Sequence, residues 1–247
     1  MKFLLLLITI ITISNAVITI EPVTIKDEDE LSGSIQASVE NRRGNTEKNE
    51  YSGGVKIEYN KKNSYVAWGE IAGAYGDANS ETNVNKLFAH LRYIHVTNLE
   101  KLNWESFLQS EYNEFTKIQR RRLVGGGVRY DFQHDGIGKL YLGESIFYEN
   151  IAYTTDIDPS EDNIRFNTYL AYSAKLGDDS NIVYVLYYQP KADNFSDYIF
   201  SNGVELKVHV YKQLFLKVNV YYDVDSKPAY GVKKEDFTNK TSFVYDF

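Results

Sequence analysis

Past residue 16 the chain never accumulates the run of roughly 18 apolar residues that a membrane-spanning helix needs. From Leu31 to its end it alternates apolar and polar residues instead, in segments of about ten residues or more. Alternation with a period of two has a direct physical reading. Successive side chains of a strand point to opposite faces, so each segment carries one apolar and one polar face. The eleventh segment shows it plainly: Leu214, Leu216, Val218, Val220 and Tyr222 lie opposite Lys217, Asn219 and Asp223.

The segments run from Leu31 to Asn41, Tyr51 to Asn60, Ser64 to Tyr75, Asn83 to Val96, Asn103 to about Phe115, and Arg120 to Phe132. They continue from Lys139 to about Tyr153, Asn163 to Lys175, Asn181 to Gln189, Tyr198 to Tyr211, Leu214 to Val224, and Asn239 to Phe247. The seventh is ambiguous in phase, because Glu144 falls on one face and Glu149 on the other. Many are long enough to cross a bilayer at barrel tilt, whereas strands of soluble sandwiches centre on about five or six residues. Tight turns such as Lys61-Lys62-Asn63 and Lys212-Gln213 alternate with long polar loops such as Asp225 to Thr238. The pattern predicts an all-β fold, an antiparallel transmembrane β-barrel of about 12 strands over 31–247, with short connections at the end that carries the N-terminus.

Composition agrees and narrows the function classes. The chain holds 21 Tyr, 13 Phe and 16 Gly but 4 Pro and no Cys, which excludes disulfide staples and thiolate metal sites. Its formal charge of −7 argues against a nucleic-acid partner. A polar mean hydropathy of −0.41 is compatible with a barrel, where alternate residues face lipid. Lys2, the apolar run Phe3 to Ile13 and the small-residue site Ser14-Asn15-Ala16 predict a signal peptide over 1–16. A retained anchor is the alternative, and the run is about half the length it needs. Losing Lys2 leaves 26 basic against 34 acidic residues, a net charge of −8. Residues 17–30 are expected to form a solvated periplasmic extension that ends in Lys26-Asp27-Glu28-Asp29-Glu30.

Two stretches carry a family resemblance. One is Gly33 followed by Gly44-Asn45-Thr46. The other is Trp104 to Tyr130, where Glu111-Tyr112-Asn113 leads through Arg120-Arg121-Arg122 to Gly125-Gly126-Gly127. They resemble the family of salt-induced outer-membrane proteins, a domain family of unknown function, from about Leu31 to Phe247. The resemblance implies an outer-membrane location, a link to salt or envelope stress, and no catalytic residues. Phe243, Tyr245 and Phe247 look like the C-terminal signal read by the barrel assembly machinery, the expected folding partner.

The candidate sites are few. His90, His95, His134 and His209 are the histidines, and no Gly-x-Ser-x-Gly elbow accompanies them. The expectation is a structural or narrow-channel protein without enzyme activity, cofactor or metal. A barrel enzyme acting on lipid or peptide, and a surface-binding module using the outer loops, are the alternatives. Asp156 to Asp162 lacks the central Gly and distal Glu of a calcium loop, so it reads as solvated. Lys117, Arg120, Arg121 and Arg122 form the densest basic cluster and would suit lipopolysaccharide phosphates. The other reading is a solvated turn with Arg121 facing the lumen. Lys86, His90, Arg92, Arg129, Glu205, Lys207, His209, Lys217 and Asp223 fall on polar faces and are expected to line the lumen. Their mixed signs fit a plugged ion-pair core or a narrow wet channel rather than a one-sign filter. Outer-membrane lipid and lipopolysaccharide are the expected surroundings.

Overall fold

The computed structural model describes Val23 and residues 25–42, 48–78, 81–99, 101–132, 138–177 and 179–247. The predicted signal peptide, His134 and the Gly44-Asn45-Thr46 turn lie outside the described residues. Twelve strands follow one another through the described chain. They are β1 (Glu30–Arg42), β2 (Lys48–Lys61), β3 (Tyr65–Ala78), β4 (Glu81–Val96), β5 (Leu102–Asn113) and β6 (Ile118–Asp131). The other six are β7 (Lys139–Tyr153), β8 (Glu161–Lys175), β9 (Asn181–Pro190), β10 (Tyr198–Tyr211), β11 (Leu214–Asp225) and β12 (Glu235–Asp246). Each pairs antiparallel with its sequence neighbours, and β1 pairs with β12, so the sheet closes into a barrel and no strand edge is left.

The alternation placed the strands well and missed their ends where it faded. β12 starts at Glu235, because Glu235 to Thr238 pair with β11 although the first two are both acidic. β5 stops at Asn113, where its side chain accepts the Phe115 amide at 3.2 Å and turns the chain. The predicted asymmetry of connections is partial. The nine-residue link 226–234 and the seven-residue links 154–160 and 191–197 share the rim away from the N-terminus, called here the upper rim. That rim also carries the short links 79–80 and 114–117, and the lower rim carries the seven-residue link 132–138.

Polarity is inverted relative to a soluble domain. Leu31, Ile71 and Leu91 point outward and are 71%, 62% and 58% exposed, while Glu105, Glu149 and Arg129 point inward at 1%, 1% and 2%. The outward apolar surface is bounded by two aromatic belts. Along the lower one, Tyr59, Tyr65, Tyr93 and Trp104 follow each other with ring centroids 6.0, 5.2 and 5.3 Å apart. On the upper one Tyr51 pairs in register with Tyr75, and Tyr222 with Phe237. Belt residues on one strand, such as Tyr51 and Tyr59 or Trp104 and Tyr112, stand eight positions apart. That is about 27 Å along the strand and about 20 Å along the axis at barrel tilt, near the apolar band height of membrane barrels.

Two close approaches shape the wall. At Gly143 an added Cβ would lie 1.9 Å from the Tyr169 ring, so that ring seats on bare backbone inside the barrel. At Gly33 it would lie 2.7 Å from the Phe247 ring, beside the backbone bonds between Gly33 and Phe247 that help close the β1–β12 seam. That seam has the shortest register in the barrel, from Ser34↔Asp246 to Ala37↔Phe243.

Candidate functional site

The lumen is the site where this chain concentrates polar chemistry, and side chains from β4 to β9 fill one half of it. Tyr141, Tyr169 and Tyr187 pack with Ala171, Val183 and Val185. Arg92 donates to Glu105 at 2.7 Å, and the Tyr169 hydroxyl donates to the same carboxylate at 2.9 Å. The Arg92 guanidinium also lies 5.1 Å from the Tyr169 ring centre, a cation–π contact that offsets part of its desolvation. Arg129 sits 4.5 Å from the centre of the Tyr141 ring. A buried ion is tolerated only where such partners replace its water.

Toward the upper rim runs a chain of ion pairs. Glu149 accepts from Arg121 Nε at 2.7 Å and from Arg165 Nε at 2.8 Å. Arg121 is also 3.6 Å from Glu111, and Arg165 is 3.0 Å from Asp197. Lys191, in the β9–β10 loop, extends the chain to Asp197 at 3.0 Å and Glu161 at 2.6 Å. Burial would lower the Lys191 pKa, but its bonds to Glu161 and Asp197 outweigh that and raise it.

The other half of the lumen keeps a cavity of about 160 Å³ between β1–β5 and β10–β12. Lys56, Lys86, Lys207, Lys217 and Lys240 line it with Glu70, Glu111 and Glu205. Lys207 and Lys217 stand directly opposite each other across β10 and β11. Each takes a carboxylate elsewhere: Lys217 reaches Glu205 at 2.5 Å and Lys207 reaches Asp246 at 2.6 Å. A polar space of that size has room for several waters.

Described residues reach across each mouth. At the lower mouth Val23 packs on Val66, Trp68 and Ile94, and its carbonyl accepts from Arg129 at 2.8 Å. The Lys26 amide donates to Asn60 Oδ1 at 2.9 Å. Among its described residues the extension is therefore a plug at Val23, which is 5% exposed, and solvated at Asp27, Glu28 and Asp29. Sequence reasoning missed this because one Val in a short leader carries no periodic signal. At the upper mouth the β11–β12 loop buries Ala229 and is tied across the opening. Lys117 Nζ donates to the Tyr230 carbonyl at 2.6 Å, and the Tyr230 amide donates to Asp158 at 3.0 Å.

The nine expected lumen residues point inward, with different surroundings. Lys86, Lys207, Lys217 and Glu205 border the cavity, and Arg92 and Arg129 belong to the packed half. Asp223 accepts from the Ser201 hydroxyl at 2.5 Å. His209 sits at the lower rim, 2.7 Å from the Lys212 carbonyl. His90 is buried against Trp68, Phe88 and Phe107, 3.3 Å from Gln109, as a packed ring rather than a poised base. The basic cluster divides, and two members leave the expected phosphate site. Arg121 is 3% exposed in the lumen and Lys117 is spent on the loop, while Arg120 and Arg122 face outward. Phe243, Tyr245 and Phe247 form an exposed outward row at the seam. Glu105 and Tyr169 were not singled out from sequence, and Glu149 entered only through the phase conflict in β7.

A family model described as a protein of unknown function, DUF481, matches residues 35–247. No curated protein matches the sequence. Among solved structures the chain is similar to the NanC porin, at 12% identity, covering 88% of this chain and 98% of that one, with a TM-score of 0.48. It is similar to a bacterial polysaccharide outer membrane secretin at 8% identity, covering 91% and 100%, with a TM-score of 0.48. It is also similar to the translocator domain of the autotransporter NalP from Neisseria meningitidis at 8% identity, covering 88% and 87%, with a TM-score of 0.48.

Proposed function

The chain belongs to the DUF481 family, proteins of unknown function, and we propose that it is a non-catalytic outer-membrane β-barrel of structural or narrow-channel type. One observation carries the reading: an apolar outer wall between two aromatic belts encloses buried ion pairs. In water that wall would expose an apolar area far beyond what a soluble monomer tolerates. In a bilayer it is satisfied, and the closed sheet leaves no unpaired edge in hydrocarbon.

The lumen fits a narrow conduit that side chains partly fill. Half is packed, half is a lysine-lined polar space, and the N-terminal plug and the β11–β12 loop reach across the two ends. Any solute that passes is small, polar and met by both signs of charge. Assembly would use the outward row Phe243, Tyr245 and Phe247 as the signal for the barrel assembly machinery. The resemblance to salt-induced proteins adds a finer proposal, that protein abundance rises after a salt upshift.

Cell fractionation with cold and heated SDS gels tests the reading. The expected result is an outer-membrane band whose mobility changes on heating. A soluble periplasmic protein with unchanged mobility contradicts it.

A further inference from the structure

On the described strands, the outward side chains at and between the two aromatic belts are apolar, small or neutral with two exceptions, Glu144 and Arg122, the latter eight positions above Tyr130 and so at the upper belt. Glu144 accepts from the Thr168 hydroxyl at 2.8 Å. Arg122 pairs with no carboxylate among the described residues. It stands one outward step below the Tyr112 level, where β6 pairs Arg122 with Ser110 on β5 and Asn150 on β7. A guanidinium held against lipid with no counter-charge is costly, less so near the interface than at mid-depth. An anionic partner at that depth removes the cost.

Below Arg122 the outer wall of β2 to β7 carries a broad, shallow and open groove. Its floor alternates small and apolar residues, among them Ser110, Leu108, Ala89, Leu91 and Ile71. Arg122, Asn150 and Tyr148 form its upper end. Arg120 lies beside them and donates to Asn150 at 3.2 Å. The neighbouring carboxylate, Asp162, is taken up by the Tyr148 hydroxyl and the Asn150 amide, at 2.5 and 2.8 Å. Both guanidiniums thus stay available at the head of an apolar trough.

We propose that Arg122 and Arg120, with the groove beneath them, bind a phosphorylated, multiply acylated lipid of the lipid A class in the outer leaflet. The proposal rests on the outer-membrane reading and on the upper rim facing outward. The guanidiniums hold a phosphate by charge-assisted, bidentate hydrogen bonds, and an acyl chain lies in the groove. Small floor residues let the chain approach the backbone closely, as flanking side chains of larger size would not.

The test uses the mature protein refolded in detergent micelles, with bisphosphorylated hexa-acyl lipid A as the probe and native mass spectrometry as the readout. The expected result is saturable one-to-one binding that inorganic phosphate does not displace. Arg122→Ser should weaken it about tenfold, the loss of one charge-assisted contact. Ala89→Trp, which fills the groove, should weaken it with the phosphate contacts intact. Lipid A lacking one phosphate should bind more weakly to the wild type, and that difference should shrink in Arg122→Ser. Equal binding of both lipids to all proteins, or displacement by free phosphate, overturns the site. Heat-modifiable mobility is scored in parallel for every protein. Its loss in the wild type would overturn the barrel reading and the site together. Its retention with unchanged lipid affinity in Arg122→Ser would overturn the site alone.

Discussion

Replacing Glu149 by Gln should destabilise the barrel by about 3 kcal/mol, the lower end of the cost of breaking a buried ion pair. Glu149 is 1% exposed and accepts two guanidinium bonds, at 2.7 and 2.8 Å, plus one from Asn163 at 3.1 Å. Gln keeps the shape but removes the charge and turns an NH2 group toward donors. Arg121 then relies on Glu111 at 3.6 Å, and Arg165 on Asp197 at 3.0 Å. Those second partners are why the lower end applies. Glu144→Gln is the internal control, on the same strand but exposed and bonded to one hydroxyl. Because it takes a charge off the lipid-facing wall, it should be neutral or slightly stabilising. Urea unfolding of refolded protein in micelles, followed by the fraction retaining barrel mobility on cold gels, reads both. A Glu149→Gln effect no larger than that of Glu144→Gln would refute the packed lumen. Water in a wide bore would then be screening the arginines.

Three further outcomes follow from the same geometry. Gly33→Val should impair closure, because its Cβ meets the Phe247 ring at 2.7 Å and the Lys56 carbonyl at 2.9 Å; deleting Phe247 should likewise reduce insertion, and normal yields of heat-modifiable barrel from both would contradict the seam. Neutralising Lys207 and Lys217 together leaves Glu205 and Asp246 less compensated. Any single-channel current in planar bilayers should then shift toward cations, and unchanged selectivity would count against a conducting lysine-lined half. Asp29 is held below the usual carboxylate range by hydrogen bonds from Lys61 and the Lys62 amide. Its folded pKa is depressed, so the contribution is present above the unfolded pKa and fades as pH falls through the folded value. A spin label at Asp27 should gain mobility over that acidic window. Asp29→Asn should show the mobile signal at every pH, and a pH-independent wild type would contradict the anchor.

The strands were legible because their period of two holds over long segments, as in Leu214 to Asp223. Facing was legible for the same reason, since inward Lys56, Arg129, Lys207 and Lys217 each sit between outward apolar neighbours. The filling of the lumen was not. Alternation fixes which residues turn inward and says nothing of how far they reach across. The contacts that close it join residues distant in sequence: Arg121 to Glu149, Tyr169 to Glu105, and Arg129 to the Val23 carbonyl. The basic cluster misled in part because three adjacent arginines on a strand cannot share a face, so Arg121 turned inward between Arg120 and Arg122.

The account stands most directly on the inside–outside alternation of the wall. The chain has no cysteine, so single spin labels at positions 207, 208, 217 and 218 report each site alone. In bilayers, the Val208 and Val218 positions should be accessible to oxygen and shielded from a water-soluble relaxant. The Lys207 and Lys217 positions should show the reverse. The same environment at adjacent positions would contradict a barrel with lipid outside and an ion-paired lumen within.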